Sequence, residues 1–356
     1  MVPSSAARPP ATRVLLVKLG AIGDVVNSLP FVNRLRAAWP AAHITWAIAP
    51  LAHSLVSGHP AVDEFLLLDR AAPAGTRRFI RELRRRDFDL AIDLQRLTKS
   101  GLITRLCGAP RRLGFDRQRC KEQNSWFTNE KIPSRTAPGT TLDQYLEFAD
   151  HLELPPTPVT WELPIEAPPP ASTVPDATPD NARTSTADRT AGGGPNIVIN
   201  LGASKEANLW SVGAWAELCL ALHKTIGARI ELSGGPQDRP RATEVATRAG
   251  IPLGDRVGQL SLKQTGGLIA EADLFIGCDT GPLHMAVAVN TPVVALFGSS
   301  DPARTGPWGQ AEGVVQAPPP AAGCAPCRKR TCFVAGHPCM ADLSVAAVME
   351  RVQARL

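Results

Sequence analysis

A chain of 356 residues, 44% apolar and 20% charged, is long enough for two domains that each bury a core without disulfides or metals. No apolar run approaches the roughly 20 residues that span a bilayer, and residues 1–12 (MVPSSAARPPAT) lack the apolar stretch of a signal peptide, which places the protein in the cytoplasm. The net charge of +5 is uneven: residues 1–150 hold 22 Lys and Arg against 14 Asp and Glu, so the first part is basic, either as a solvated surface or as a face for an anionic substrate or membrane.

The first predicted strand, residues 13–18, runs into a turn and helix start, LGAIGDVV, with two glycines and an acid. The glycines are not spaced as Gly-x-Gly-x-x-Gly, so this is not the dinucleotide fingerprint. Helical spacing follows in VNSLPFVNRLRAAW, then strands at 43–48 and 64–68. The segment TRRFIRELRRRDF reads as a helix with Phe79, Ile80 and Leu83 on its buried stripe and six arginines, Arg77, Arg78, Arg81, Arg84, Arg85 and Arg86, around it. A strand at 90–94 completes the alternation of a parallel, helix-covered sheet. Residues 155–195 are dense in Pro, Thr, Ser and Gly and read mostly as linker. The alternation then restarts with NIVINLGAS, WSVGAWAELCLALHKTIG, ARIELSGG, EADLFIGCDTG and TPVVALFGSSDP. The predicted domains are thus a flexible 1–12, an αβ domain over 13–154, the linker, a second αβ domain over 196–317, and a Cys-rich segment with a final helix over 318–356.

In the second domain a strand ends in Asp279-Thr280-Gly281 and a helix begins, with His284 one turn in. Backbone N–H groups at such a start form a phosphate or diphosphate site, to which Thr280 adds a hydroxyl and Gly281 close approach. The bland reading is that Asp and Thr are helix caps and His284 a core histidine. Four cysteines, Cys324, Cys327, Cys332 and Cys339, form a C-x2-C-x4-C-x6-C run that fits either a structural zinc or iron clip or reduced thiols. Cys107, Cys120, Cys219 and Cys278 stand alone and read as packing residues.

Taken together, Asp279-Thr280-Gly281-Pro282-Leu283-His284, the run TPVVALFG at 291–298, Asp301-Pro302, the Lys18 to Asp24 turn and the Asp93-Leu94-Gln95 to Lys99-Ser100 segment resemble glycosyltransferase family 9, the ADP-heptose:lipopolysaccharide heptosyltransferases. The resemblance implies an α/β GT-B fold: two Rossmann-like domains with parallel sheets facing across a cleft, acceptor on the first and ADP-sugar donor mainly on the second. It implies inversion without a catalytic metal or other cofactor, with Asp24 as the base; the bland alternative for Asp24 is an N-cap. The donor contacts expected on this basis are Gly20, Ala21, Gly23, Ser204, Lys205, Asn208, Asp238, Asp279, Thr280, Gly281 and His284, and the acceptor contacts are Arg96 and Lys99. The acceptor is expected to be an anionic glycan or glycolipid, with peripheral contact to the inner-membrane surface.

The chain departs from the family pattern in three places. Asn208 stands in Asn-Leu-Trp-Ser where relatives show Lys-x-Trp-Pro, Asn27 replaces a histidine and Arg96 a glycine. Lys205, three residues before Asn208, is the nearest replacement cation, or else an exposed turn lysine beside Glu206. Two other functions compete: a Rossmann oxidoreductase, disfavoured by the missing fingerprint, and a nucleic-acid-binding protein, disfavoured by the 5% aromatic content that offers no stacking platform.

Overall fold

The computed structural model describes residues 11–69, 73–133, 139–170, 193–319 and 323–356. They fall into two units, Met1–Pro164 and Ile165–Leu356. In the first, short apolar runs alternate with helices: β1 (Arg13–Val17), α1 (Ile22–Ala38), β2 (His43–Ile48), α2 (Pro50–Val56), β3 (Glu64–Leu67), α3 (Pro73–Arg84), β4 (Leu90–Asp93), α4 (Thr98–Leu106), β5 (Arg111–Gly114), β6 (Glu130–Lys131) and α5 (Thr141–His151). The strands pair in parallel in the order β3-β2-β1-β4-β5-β6. Covered on both faces, β1 and β4 are buried along nearly their whole length, which is why they read as unbroken apolar runs. The chain leaves β1 toward β2 and returns on the other side to build β4, so the turns after these two strands diverge. That divergence opens a crevice at their carboxyl ends.

The segment expected as linker is partly packed. Trp161 and Leu163 are buried in the first unit, Arg34 donates to the carbonyls of Leu154 and Pro155 at 2.6 and 2.9 Å, and His59 bonds the Trp161 carbonyl at 2.9 Å. Glu166 donates its N–H to Lys263 of the second unit at 3.1 Å. Two large apolar anchors in a proline-rich stretch order residues 155–170; residues 171–192 of the expected linker, and 1–10, lie outside the described residues.

The second unit repeats the topology: β7 (Asn196–Asn200), α6 (Val212–Ile226), β8 (Arg229–Ser233), α7 (Arg239–Ala249), β9 (Gly254–Asp255), α8 (Leu262–Ala270), β10 (Leu274–Cys278), α9 (Gly281–Ala288), β11 (Val293–Phe297), α10 (Pro302–Thr305), β12 (Val314–Gln316), α11 (Pro338–Ala341) and α12 (Val345–Arg355). The order β12-β11-β10-β7-β8-β9 places the reversal between β7 and β10. Ser211 caps α6 by accepting from the Ala214 N–H at 3.1 Å, and Gly227, in the left-handed region at φ 64°, ends it. The C-terminal segment belongs to this core: Val348 and Val352 are fully buried, and Met340 lies so close to the end of β11 that a Cβ on Gly298 would stand 2.3 Å from its sulfur.

Candidate active site

At the reversal in the first unit, β1 is followed directly by Lys18, whose side chain is only 1% exposed. A buried ammonium requires a partner. It finds Asp24, at 2.9 Å from Nζ to Oδ2, and lies 5.3 Å from the centre of the Tyr145 ring. Burial alone would push Lys18 down, but Asp24 beside it holds it above the ordinary lysine value. Asp24 is the third residue of α1 and not its cap, which is Ala21; its side chain is about one-third exposed.

Opposite, the turn after β4 is held by the fully buried Asp93, which accepts from the Gln95 and Arg96 N–H groups at 2.8 and 3.3 Å and from Asn124 at 2.7 Å. Burial raises the Asp93 carboxyl despite these donors. Gln95 then ties the two turns together, accepting from the N–H groups of Leu19 and Gly20 at 2.9 and 3.3 Å. Between them lies a cavity of about 260 Å³ lined by Gly20, Ala21, Gln95 and Lys99. Of the two expected acceptor contacts, Lys99 faces this cavity. Arg96 is 9% exposed and turned inward, its guanidinium 4.7 Å from the Phe115 ring centre and 3.0 Å from Gln144 Oε1. It adopts φ 67°, a left-handed conformation that glycine takes up most readily.

At the second reversal, Thr280 precedes α9 without capping it. Its hydroxyl is buried and has no hydrogen-bond partner. A buried hydroxyl left open at a helix start is a place for a ligand oxygen. Asp279 accepts from the Thr305 hydroxyl at 3.2 Å and its Oδ1 lies 4.0 Å from His284 Nε2, while Ser204 donates to its carbonyl at 3.3 Å. Asn208 and Asp238 are internal braces. Asn208, 1% exposed, donates to Ser300 Oγ at 2.8 Å and accepts from Ser299 Oγ at 2.5 Å; Asp238, 5% exposed, accepts from the Gly235 N–H at 2.9 Å and pairs with Arg241 at 3.3 Å. Gly202 is needed beside it, since a Cβ there would stand 2.7 Å from Asp238 Oδ2. Lys205 extends along this edge, its Nζ 3.4 Å from the Arg328 carbonyl.

The cysteine run admits two readings, a structural metal clip or reduced thiols. Among the described residues no group of three or more His, Cys, Asp or Glu side chains is placed to hold a metal ion, and Cys324, Cys327, Cys332 and Cys339 are free thiols. Cys339 is drawn into the core and pushed up to about 11, first by burial and then by its three neighbouring thiols, while His337 is taken by the Ala207 carbonyl at 2.8 Å. The isolated Cys219 and Cys278 are buried and pushed up to about 12 by that burial, as packing residues are.

Sequence reasoning passed over Lys18 and Gln95 as site residues. The signal for Lys18 was present: a lysine directly after the apolar run of residues 14–17 must be paired where it is buried.

The family described as "Glycosyltransferase family 9 (heptosyltransferase)" matches residues 76–337. Lipopolysaccharide heptosyltransferase 1 of Pseudomonas aeruginosa is 29% identical over 332 residues, covering 90% of this chain and 87% of that protein. Among solved structures, a glycosyl transferase family 9 protein of Veillonella parvula superposes with a TM-score of 0.74 at 19% identity, over 96% of each chain. The Escherichia coli heptosyltransferase WaaC with ADP-2-deoxy-2-fluoro heptose does so with 0.69 at 23%, over 97% of this chain and 100% of that one. The two like-ordered parallel sheets are those of the GT-B fold, and the chain belongs to glycosyltransferase family 9, the heptosyltransferases.

Proposed function

We propose that this glycosyltransferase moves a heptose, or a closely related sugar, from an ADP-sugar to a lipopolysaccharide-core or other cell-envelope glycan, without a catalytic metal. Asp24 takes the proton of the acceptor hydroxyl as its oxygen attacks the anomeric carbon. The bond from that carbon to the diphosphate oxygen breaks, ADP leaves with the electron pair, and the single displacement inverts the centre. Lys18 fixes the carboxylate, and the α9 start with Thr280 and Lys205 receives the charge that grows on the diphosphate. Lys99 supplies a cation to the acceptor side. The observation that carries the reading is the buried Thr280 hydroxyl without a partner at the strand-to-helix turn, where an anionic ligand completes the hydrogen bonding.

The exposed Arg77, Arg78, Arg81 and Arg84 on α3, opposite the buried Phe79 and Leu83, support contact with an anionic glycolipid or the cytoplasmic face of a membrane. No helix among the described residues is long and apolar enough to cross a membrane. Family membership leaves the oxidoreductase and nucleic-acid readings without support.

The test is calorimetric titration with ADP and AMP followed by a transfer assay with ADP-heptose in EDTA. ADP binding with metal-independent transfer is the expected result, and absence of ADP binding overturns the donor assignment.

A further inference from the structure

The cysteine-bearing segment runs along the donor side of the second unit and stitches two of its turns together. The Ala207 N–H donates to the Arg330 carbonyl at 2.9 Å and His337 bonds the Ala207 carbonyl at 2.8 Å, which holds the turn after β7. The Arg328 N–H donates to the Ser299 carbonyl at 2.8 Å and its guanidinium meets Asp301 Oδ2 at 2.6 Å, which holds the turn after β11. Lys205 Nζ donates to the Arg328 carbonyl at 3.4 Å, so the two cations flank one stretch of backbone. These turns adjoin Asp279, the residue before Thr280, through Ser204 and Thr305.

Two features single out Arg328. The residue occupies φ 58°, a left-handed conformation that non-glycine residues adopt at a cost and that persists where surrounding contacts over-determine it. Its side chain is 53% exposed, and Asp301 engages it through a single oxygen, the other accepting from the Ala303 N–H at 3.1 Å. A guanidinium has five donors, so this arrangement orients the group and leaves N–H groups for an anion. Asn208, meanwhile, is buried, donates to Ser300 and accepts from Ser299, and offers no charge.

We infer that Arg328 is a donor-binding residue: with Lys205 it supplies the cationic contact to the nucleotide-sugar diphosphate that Asn208 does not, and the cysteine-bearing segment is the arm that delivers it. This rests on the ADP-sugar reading above.

The experiment measures ADP and adenosine affinities by calorimetry on the full chain, for the wild type, Arg328→Gln, Arg328→Lys and Asp301→Asn. Arg328→Gln is expected to weaken ADP roughly tenfold or more, as for loss of a hydrogen bond to a charged group, with adenosine unchanged. Arg328→Lys should recover part of the loss, and Asp301→Asn, which releases the guanidinium but keeps it, should bind ADP at least as well as the wild type. Equal ADP affinity in Arg328→Gln overturns the inference. So does a parallel loss of ADP and adenosine, or a loss in Asp301→Asn matching that in Arg328→Gln, since either marks a merely structural pin. A wild type that binds no ADP overturns the donor reading itself, and with it this one.

Discussion

The pairing of Lys18 with Asp24 makes a prediction about stability as well as catalysis. Asp24→Asn keeps an oxygen within reach of Nζ but leaves an ammonium that is 1% exposed without a counter-charge. Removing one partner of a fully buried pair costs about 3–5 kcal/mol. Because the Asp24 side chain is one-third exposed and the amide still accepts a hydrogen bond, we expect about 2 kcal/mol, or a fall of about 4–8 °C in the melting temperature of a unit of this size.

The pH dependence should change sign. In the wild type, burial opposes the Lys18 charge but Asp24 holds the group above its ordinary value of 10.5, so the stability gained from the pair is complete below that value and is lost only as pH rises beyond it. In the variant burial pushes Lys18 down against Tyr145 alone, so folding is expected to expel a proton and stability to rise from pH 7 to pH 10. The double variant Lys18→Met/Asp24→Asn replaces the pair with apolar and neutral groups and should recover most of the stability, while transfer stays reduced by about 10² to 10⁴ for want of the base. Calorimetric scans at pH 7, 8.5 and 10, beside single-turnover transfer rates, read both effects. A single variant with wild-type melting at every pH would refute the energetic argument, and transfer restored in the double variant would refute Asp24 as base.

Three further outcomes follow from the second unit. Thr280→Val removes a hydroxyl without a partner, so the melting temperature should hold while ADP affinity falls several-fold; calorimetry reads both. Asn208→Ala strands two buried serine hydroxyls and should lower stability by about 1–3 kcal/mol in a denaturant titration. Lys205→Ala should weaken ADP by about 1.5–3 kcal/mol and leave adenosine alone, and equal ADP affinity would remove Lys205 from the donor site.

Much of this was legible in the chain because doubly covered strands are continuous apolar runs. The stretch 43–48 was read with the bounds that β2 shows, and β1, β3 and β4 to within one residue. The strands β5 (RRLG), β6 (EK) and β9 (GD) gave no such signal, since short strands at or next to a sheet edge are built by pairing and not by their own composition. The placement of Asp24 and Thr280 at strand-to-helix turns was legible because strand, turn and helix start are adjacent in sequence. The inward turn of Arg96 onto Phe115 and Gln144 was not, nor was the capture of Ala207 by Arg330 and His337, because contacts between residues so far apart leave no local pattern. The cysteine spacing left a metal clip and reduced thiols open, and gave no sign that Cys339 and Met340 would be buried in the core.

The grip on Ala207 has a thermodynamic corollary. Its N–H and carbonyl are both bonded to the cysteine-bearing segment, so the segment cannot lift away without releasing the turn that carries Lys205. Any ligand that orders this turn lowers the population of the lifted form by the linkage that governs every ligand-coupled opening. On the ADP-sugar reading proposed above, the alkylation rates of the half-buried Cys324, Cys327 and Cys332 are expected to fall as nucleotide occupancy rises, a change readable by mass spectrometry without a label or a coupled assay.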